Sequence, residues 1–261
     1  MAPGGPNDPR LQFGVSLLPS VQPLSAHLEL VHAAESSGLD LIGIQDHPYH
    51  PGFLDTFAVI GMLLARTERV RFFPDVANLP LRPPAVLAKM AASLDLLSGG
   101  RFELGLGAGG SWQAISTLGV ARLTARLGAQ SPGMFEVTGR LADGWAAPIP
   151  SYLPYEQWSP AQQQIDAAAR QAGRHPSSIR RIAQVVGTIA PVPQSDWVPT
   201  GADPLRGDAA QWAEVIRYLS NELRFDTFIF WPEQASIEQI DRFARDVVPA
   251  ALASHSSQPP A

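Results

Sequence analysis

Cysteine is absent from this 261-residue chain. The protein therefore has no disulfide, no thiolate metal ligand and no cysteine nucleophile. Basic residues are also few, since 19 lysines and arginines stand against 24 acidic residues and the net charge is −5. No basic patch is visible, so we predict no nucleic-acid partner. No apolar run approaches the roughly 20 residues of a membrane helix, so we predict no membrane partner.

The two ends of the chain differ in composition from the rest. Residues 1–9 lack a basic stretch followed by an apolar one, so we expect no signal peptide and a cytoplasmic location. Residues 1–10 and 254–261 have little apolar content and are predicted to be disordered tails. Residues 11–253 are predicted to be one domain, because α/β barrels often have about 250 residues.

Between the tails, short strand-like runs alternate with amphipathic segments, which is typical of βα units. Eight strands are predicted, at 12–17, 41–45, 70–76, 102–106, 123–127, 144–147, 179–189 and 227–231. Seven full helices are predicted, at 25–37, 56–66, 83–97, 131–138, 160–172, 209–223 and 236–252. This α/β order favours a (β/α)8 TIM barrel over a doubly wound sheet, since no Gly-x-Gly-x-x-Gly motif opens the first helix. Only the short stretch 111–118 follows the fourth strand. The helix expected after this strand is therefore predicted to be missing or truncated.

Chemically distinctive residues follow three successive strands. Asp46 and His47 come after the second, Asn78 after the third and a glycine-rich turn after the fourth. We expect them to lie together, because parallel strands present their carboxyl ends at one edge. His47 is suited to proton exchange near neutral pH, and Asp46 could hold the imidazole or raise its basicity. Alternatively, Asp46 caps a turn and His47 is an ordinary loop residue.

Two turns are rich in small residues. The alternating glycines at 105, 107 and 109 let the backbone approach a flat ring or a phosphate, or else they relieve crowding inside the barrel. The turn at 128–131 leads into a helix and ends in a hydroxyl, which predicts either an anion site or an ordinary N-cap. The proline-rich stretch 191–204 is a candidate lid.

A metal site is an alternative interpretation of the histidines. His47 and His50, with Asp46 and Asp55, are a possible ligand set for a metal-dependent barrel hydrolase. The spacing is loose and no His-Glu-x-x-His motif is present, so this interpretation ranks below a metal-free site.

Several longer segments match a known protein family. They are 33–47 (ending in Gln-Asp-His), 65–71, 81–89, 94–109 (opening with Leu-Asp-Leu-Leu-Ser-Gly-Gly-Arg-Phe), 138–145 and 225–231. Through them the chain resembles the luciferase-like flavin-dependent oxidoreductases, the bacterial luciferase superfamily of TIM barrels. The resemblance covers nearly the whole chain, and the segment from 81 to 109 is the most specific.

The resemblance implies FMN or coenzyme F-420 as the cofactor, bound at the barrel mouth. It implies hydride transfer or monooxygenation of a small organic substrate, with His47 exchanging a proton and Asp46 orienting it. The residues implied to bind the cofactor are Val76, Ala77, Asn78, Gly107, Ala108, Gly109, Gly128, Ala129, Gln130 and Ser131.

The chain departs from the family pattern after the fourth strand. Too few residues lie there for the long helix and insertion of a typical member. A gap in the outer ring of helices exposes the apolar outer surface of the barrel strands. We therefore predict either a homo-oligomer, such as a dimer, or a less stable barrel with impaired cofactor binding. A flavin-binding barrel that has lost turnover is therefore an alternative function. A catalytic glutamate found in some F-420 dehydrogenases is also absent near Gly110, so sugar-phosphate dehydrogenation is not predicted.

Overall fold

The computed structural model describes residues 11–120, 131–195 and 204–253. The strands are β1 (Gln12–Leu17), β2 (Leu41–Ile44), β3 (Arg71–Pro74), β4 (Ala77–Asn78), β5 (Leu106–Gly107), β6 (Gly144–Ala147), β7 (Arg180–Ile189), β8 (Leu205–Gly207) and β9 (Thr227–Pro232). The helices are α1 (Leu24–Ser36), α2 (Thr56–Leu64), α3 (Pro84–Ser98), α4 (Trp112–Thr117), α5 (Pro132–Leu141), α6 (Tyr155–Gln171), α7 (Ala209–Asn221), α8 (Ile237–Arg242) and α9 (Val248–Leu252). A π-helical turn (Phe243–Val247) joins α8 to α9, so the last predicted helix is continuous with a local bulge.

The strands form a parallel arc. Their order is β3-β2-β1-β9-β7-β6, with β8 paired to β7 and with β4 and β5 as a separate parallel pair. A single bridge between Phe72 and Phe102 links β3 to the stretch that leads to β5. The last strand, β9, lies between β1 and β7, so the sheet curls back on its start as in an α/β barrel. The predicted strand at 123–127 lies outside the described residues.

Side chains alternate in direction along the strands and so form two apolar cores, one between the sheet and the helices and one inside the barrel. The outward side chains of β1 and β9, including Phe13, Val15, Phe228 and Phe230, are buried against the helices. Each such side chain contributes about 1.5–3 kcal/mol when it is buried. Helix α3 ends at Gly99, which has φ +69° in the left-handed region, a conformation that costs glycine little.

The inward side chains form layers. At the amino ends of the strands, Arg71 and Arg180 both donate to Glu103. An apolar layer follows, made of Leu41, Phe73, Ile182 and Ile229. Towards the carboxyl ends the interior becomes polar again. This stacking fills the barrel with side chains and brings polar groups to the mouth, where ligands bind in this architecture.

Some predicted bounds were wrong. The strand at 70–76 divides into β3 and β4, since the chain bends after Pro74, and the strand at 102–106 is reduced to one bridge and β5. Helix α6 begins at Tyr155 rather than near Pro160, which lies inside it. Strand β8 was not predicted, because three residues after a proline-rich stretch show no periodicity and their strand geometry comes from pairing with β7.

Several predictions fall outside the described residues in whole or in part. The tails at 1–10 and 254–261 do so entirely, as do residues 196–203 of the candidate lid. The segment after the fourth predicted strand contains the six-residue helix α4, and residues 121–130 beyond it are not described. Among the described helices, none is both long and apolar enough to cross a bilayer.

Candidate functional site

Asp46 anchors the mouth of the barrel. It directly follows β2 and is almost fully buried, with 3% of the residue exposed. Arg82 donates to both of its carboxylate oxygens, from Nε to Oδ2 at 3.0 Å and from Nη2 to Oδ1 at 2.6 Å. The backbone N–H of Asn78 also donates to Oδ2, at 2.8 Å. Arg82 comes at the end of the 3-10 turn Leu79–Leu81, just before α3. The same guanidinium stacks on the Phe57 ring at 4.4 Å, so this ion pair ties three elements together.

His47 is the half-buried neighbour of this ion pair. Its Nδ1 lies 2.9 Å from the Tyr49 hydroxyl, and no hydrogen bond joins Nε2 to a described residue. Burial lowers the pKa of His47, the charge of Asp46 opposes this shift and His50 adds to it. The imidazole is therefore neutral at pH 7. A hydroxyl both donates and accepts, so Tyr49 can support either neutral tautomer while Nε2 exchanges a proton.

This geometry corrects one prediction. Asp46 does not hold the imidazole by a hydrogen bond, since its oxygens bind Arg82 and Asn78. Tyr49 is the side chain that hydrogen-bonds to His47 instead. Asp46 acts on the His47 imidazole through its charge, which raises the pKa of His47 against the effect of burial.

The structure brings together two of the three turns predicted to bind a cofactor. Strands β4 and β5 pair Ala77 with Leu106 and Asn78 with Gly107, so residues 76–78 face residues 107–109. The glycines allow very close packing: a Cβ on Gly107 would lie 2.4 Å from a Val76 methyl carbon. Gly109 has φ +81° and lies against the Asn78 side chain. Close packing is thus a sufficient reason for these glycines, and their contact with a cofactor stays a prediction.

The third predicted turn is only partly described. Gly128, Ala129 and Gln130 lie outside the described residues. Ser131 is the N-cap residue of α5, and its carbonyl accepts hydrogen bonds from the amides of Met134 and Phe135. An anion site at this turn remains a prediction.

Polar atoms without partners surround the mouth. Four buried side-chain atoms near the carboxyl ends of β1, β2, β3 and β4 have no hydrogen-bond partner in the described part of the chain: Ser16 Oγ, Gln45 Nε2, Asp75 Oδ2 and Asn78 Oδ1. Buried polar groups are nearly always paired, because each unpaired one costs about 1–3 kcal/mol. Four such atoms at one end of the barrel indicate a site that accommodates a polar ligand. They include both donors and acceptors, which suits a planar heterocycle with carbonyl and N–H edges.

Asp75 lies in the polar layer beneath this mouth. Gln184 of β7 donates a hydrogen bond to its Oδ1. A Cβ on Gly43 would lie 2.9 Å from the Asp75 Cβ, so Asp75 faces the interior and not the helices. Burial raises the pKa of Asp75 to about 6, against the lowering effect of Ser16 and Gln184.

The alternative metal site does not form. Asp46 and Asp55 both bind Arg82, and His50 packs on Phe53 with a ring separation of 4.2 Å. Among residues 11–120, 131–195 and 204–253, no three His, Asp or Glu side chains form a group that could hold a metal ion. The hydrolase interpretation based on His47 and His50 is therefore not supported.

A cleft of about 730 Å³ lies away from this mouth, near the amino end of β7. Its lining includes Arg181 and Arg224, which share Asp166 at 2.5 and 3.0 Å. These contacts fasten α6 to β7 and to the end of α7. We assign the cleft no catalytic role, because no predicted site residue lines it.

Sequence reasoning missed Arg82, Tyr49, Asp75 and Gln184. Asp75 could have been identified from the sequence, since a carboxylate at the end of an apolar strand is unusual and indicates a functional position. Arg82 lies in a matched family segment, but its contact with Asp46 spans 36 positions. Contacts of that range are set by tertiary packing and have no local signature.

Comparison with known proteins agrees with this architecture. Residues 10–128 match the luciferase-like monooxygenase family. A 5,10-methylenetetrahydromethanopterin reductase from Methanolobus tindarius is 28% identical over 211 residues, which cover 65% of this chain and 63% of that enzyme. The first curated relatives, uncharacterized mycobacterial proteins, are 36% identical, but the matched segment spans only about a third (35%) of their length.

Solved structures extend the likeness to the fold of nearly the whole chain. The coenzyme F420-dependent tetrahydromethanopterin reductase from Methanopyrus kandleri aligns with a TM-score of 0.76 at 16% identity, covering 92% of this chain and 99% of that one. The oxygenating component of the 3,6-diketocamphane monooxygenase from Pseudomonas putida, in complex with FMN, aligns with a TM-score of 0.72 at 14% identity, covering 92% and 98%. Residues 10–128 are therefore similar in sequence to the luciferase-like monooxygenases, and the chain shares the fold of these α/β TIM barrels.

Proposed function

We propose that the protein is an oxidoreductase that binds FMN or coenzyme F-420 at the barrel mouth and acts on a small organic substrate. The observation that carries the proposal is the half-buried imidazole of His47 beside four buried polar atoms that have no partner among the described residues, at the carboxyl ends of the strands. The family match and the F420-dependent and FMN-bound structural neighbours support it. The Asp-His pair favours F-420, with flavin-dependent monooxygenation as the alternative.

Each group at the mouth has a defined role in this proposal. The paired turns at 76–78 and 107–109 contact the cofactor ring, and the turn at 128–131 contacts its phosphate arm. His47 exchanges a proton with the substrate through Nε2, and the Asp46–Arg82 pair holds its backbone in place. The bound cofactor supplies the hydride chemistry, and the protein supplies position and electrostatics.

Titration of the purified protein with FMN and with F-420, followed by absorbance and fluorescence, tests the proposal. We expect saturable binding of at least one compound in the micromolar range or tighter, and the tighter ligand identifies the cofactor. Binding of neither would contradict the proposal. A bound cofactor that no donor reduces would instead support a flavin-binding barrel without turnover.

We also propose that the chain is a homo-oligomer, most simply a dimer. Leu96 and Leu97 end α3 with 81% and 84% of their surface exposed, and Leu141 ends α5 with 75% exposed. These helices precede and follow the six-residue α4 along the chain. Exposed leucines in such numbers favour a covering partner.

Light scattering during size-exclusion chromatography tests the oligomer. We expect a mass of at least twice that of the chain, and a shift to monomer in the double variant Leu96→Glu/Leu97→Glu. The matched control is Leu252→Glu, because Leu252 is also exposed but ends the final helix. A stable wild-type monomer that binds its cofactor tightly would contradict the proposal.

A further inference from the structure

Asp75 is a buried carboxyl group for which the proposed chemistry has no role. Its side chain enters the barrel just after β3, and 9% of the residue is exposed. Oδ1 accepts a hydrogen bond from Gln184, and the nearby Ser16 hydroxyl also lowers the pKa of the carboxyl, but no hydrogen bond of ordinary distance and angle reaches Oδ2 from a described residue. Above its pKa of about 6, the carboxylate therefore carries its charge inside the barrel with only neutral hydrogen-bonding neighbours among the described residues.

The surroundings of Asp75 do not compensate for this burial. Ser16 from β1, Gly43 from β2 and Gln184 from β7 lie beside it, and no charged group among the described residues shifts its pKa. No ion pair joins it to a described residue. The carboxyl therefore weakens the fold at neutral pH, and a neutral isostere would be more stable there. Residues that cost stability in a site are typically kept for function.

The position of Asp75 places this acceptor at the proposed binding site. It shares the carboxyl end of the barrel with the unpaired atoms of Gln45 and Asn78. Gln184, its hydrogen-bond donor, is partly exposed, so the polar layer reaches the open end of the barrel. A planar ligand at the mouth therefore has a carboxylate oxygen beneath it that can accept a hydrogen bond.

We infer that Asp75 is a ligand-positioning residue whose Oδ2 accepts a hydrogen bond from an N–H group of the planar redox cofactor. This inference rests on the proposed function. The pyrimidine-ring N–H is common to FMN and F-420, so the assignment holds for either cofactor. A charge-assisted hydrogen bond of this kind orients the ring as well as binding it.

The variant Asp75→Asn separates a binding role from a structural one. Its amide keeps an oxygen for Gln184 but places an N–H donor where Oδ2 stood, opposite the ring N–H. We expect FMN and F-420 to bind at least about tenfold more weakly, as for the loss of a charged hydrogen bond. The thermal stability of the variant should instead increase, with its unfolding temperature at pH 7.5 about 5–10 °C above that of the wild type.

The sign of the pH dependence follows from the raised pKa. The folded protein holds the Asp75 proton more tightly than the unfolded chain, so this group destabilises the fold increasingly from about pH 4 to about pH 6. The variant and the wild type should therefore unfold at similar temperatures below about pH 4, diverge between about pH 4 and pH 6, and differ by a constant amount above pH 6. Asp246→Asn, an exposed carboxylate outside the site, is the control and should change neither quantity.

A change in the ligand tests the same hydrogen bond without a variant. We expect FMN methylated at the pyrimidine N–H to bind the wild type at least about tenfold more weakly than FMN, and Asp75→Asn to bind both equally. Equal cofactor binding by the wild type and Asp75→Asn would overturn the inference, as would a joint fall of affinity and stability. Failure of the wild type to bind either FMN or F-420 would overturn the proposed function, and this inference with it.

Discussion

Replacing Arg82 with methionine is expected to destabilise the protein by about 3–5 kcal/mol, because it leaves the Asp46 carboxylate buried and uncompensated. The Asp46 side chain is only 1% exposed, and Arg82 binds both of its oxygens. Among the described residues, only the backbone N–H of Asn78 would remain as its partner. Methionine keeps much of the volume and the contact with Phe57, so the change isolates the ionic contact.

Chemical denaturation measures this effect, with Arg242→Met as the control. Arg242 also binds a carboxylate, that of Glu238 at 2.9 Å, but this pair is an exposed i,i+4 contact on α8. Exposed pairs of this kind contribute about 0.3–0.5 kcal/mol. Arg82→Lys should fall between the two, since lysine restores the charge without the two-pronged geometry. Equal losses for Arg82→Met and Arg242→Met would show that the Asp46 pair does not anchor the mouth.

Replacing His47 with alanine is expected to lower turnover by about 10²–10⁴-fold, the usual contribution of a positioned acid or base. Cofactor affinity should change little, because the imidazole exchanges a proton with the substrate and does not hold the ring. Steady-state kinetics with a substrate that supports turnover, together with cofactor titration, separate the two effects. His50→Ala is the matched control, since His50 is exposed and packs on Phe53.

The pH profile gives a second test of His47. Burial lowers the pKa of this imidazole, so the neutral form persists to more acidic pH than for an exposed histidine. Where His47 accepts the proton, kcat/KM should fall only below about pH 6.5, and His47→Ala should lose that limb. Unchanged turnover in His47→Ala with normal cofactor binding would disprove the proton-transfer role.

Much of the architecture could be predicted from periodicity alone. Strands β1, β6, β7 and β9 lie within a residue of their predicted bounds, because their apolar runs are long or sharply bounded. Helix α2 follows Asp55, an N-cap residue of a type that helices favour, whose side chain accepts hydrogen bonds from the amides of Phe57 and Ala58. By contrast, β4, β5 and β8 have only two or three residues each, and segments of that length show no periodicity.

The candidate site also has a part that could be predicted from the sequence and a part that could not. The sequence predicted one shared edge for Asp46, His47 and residues 76–78 and 107–109, because these residues follow successive parallel strands. The partners of these residues did not follow, since Arg82 reaches Asp46 across 36 positions and Gln184 reaches Asp75 across 109. Local patterns determined which residues point towards the mouth. Only the curling of the sheet and the packing around it decided which charges are paired there and which are left buried without a partner. Desolvation and ion pairing depend on groups that meet through folding and not through spacing.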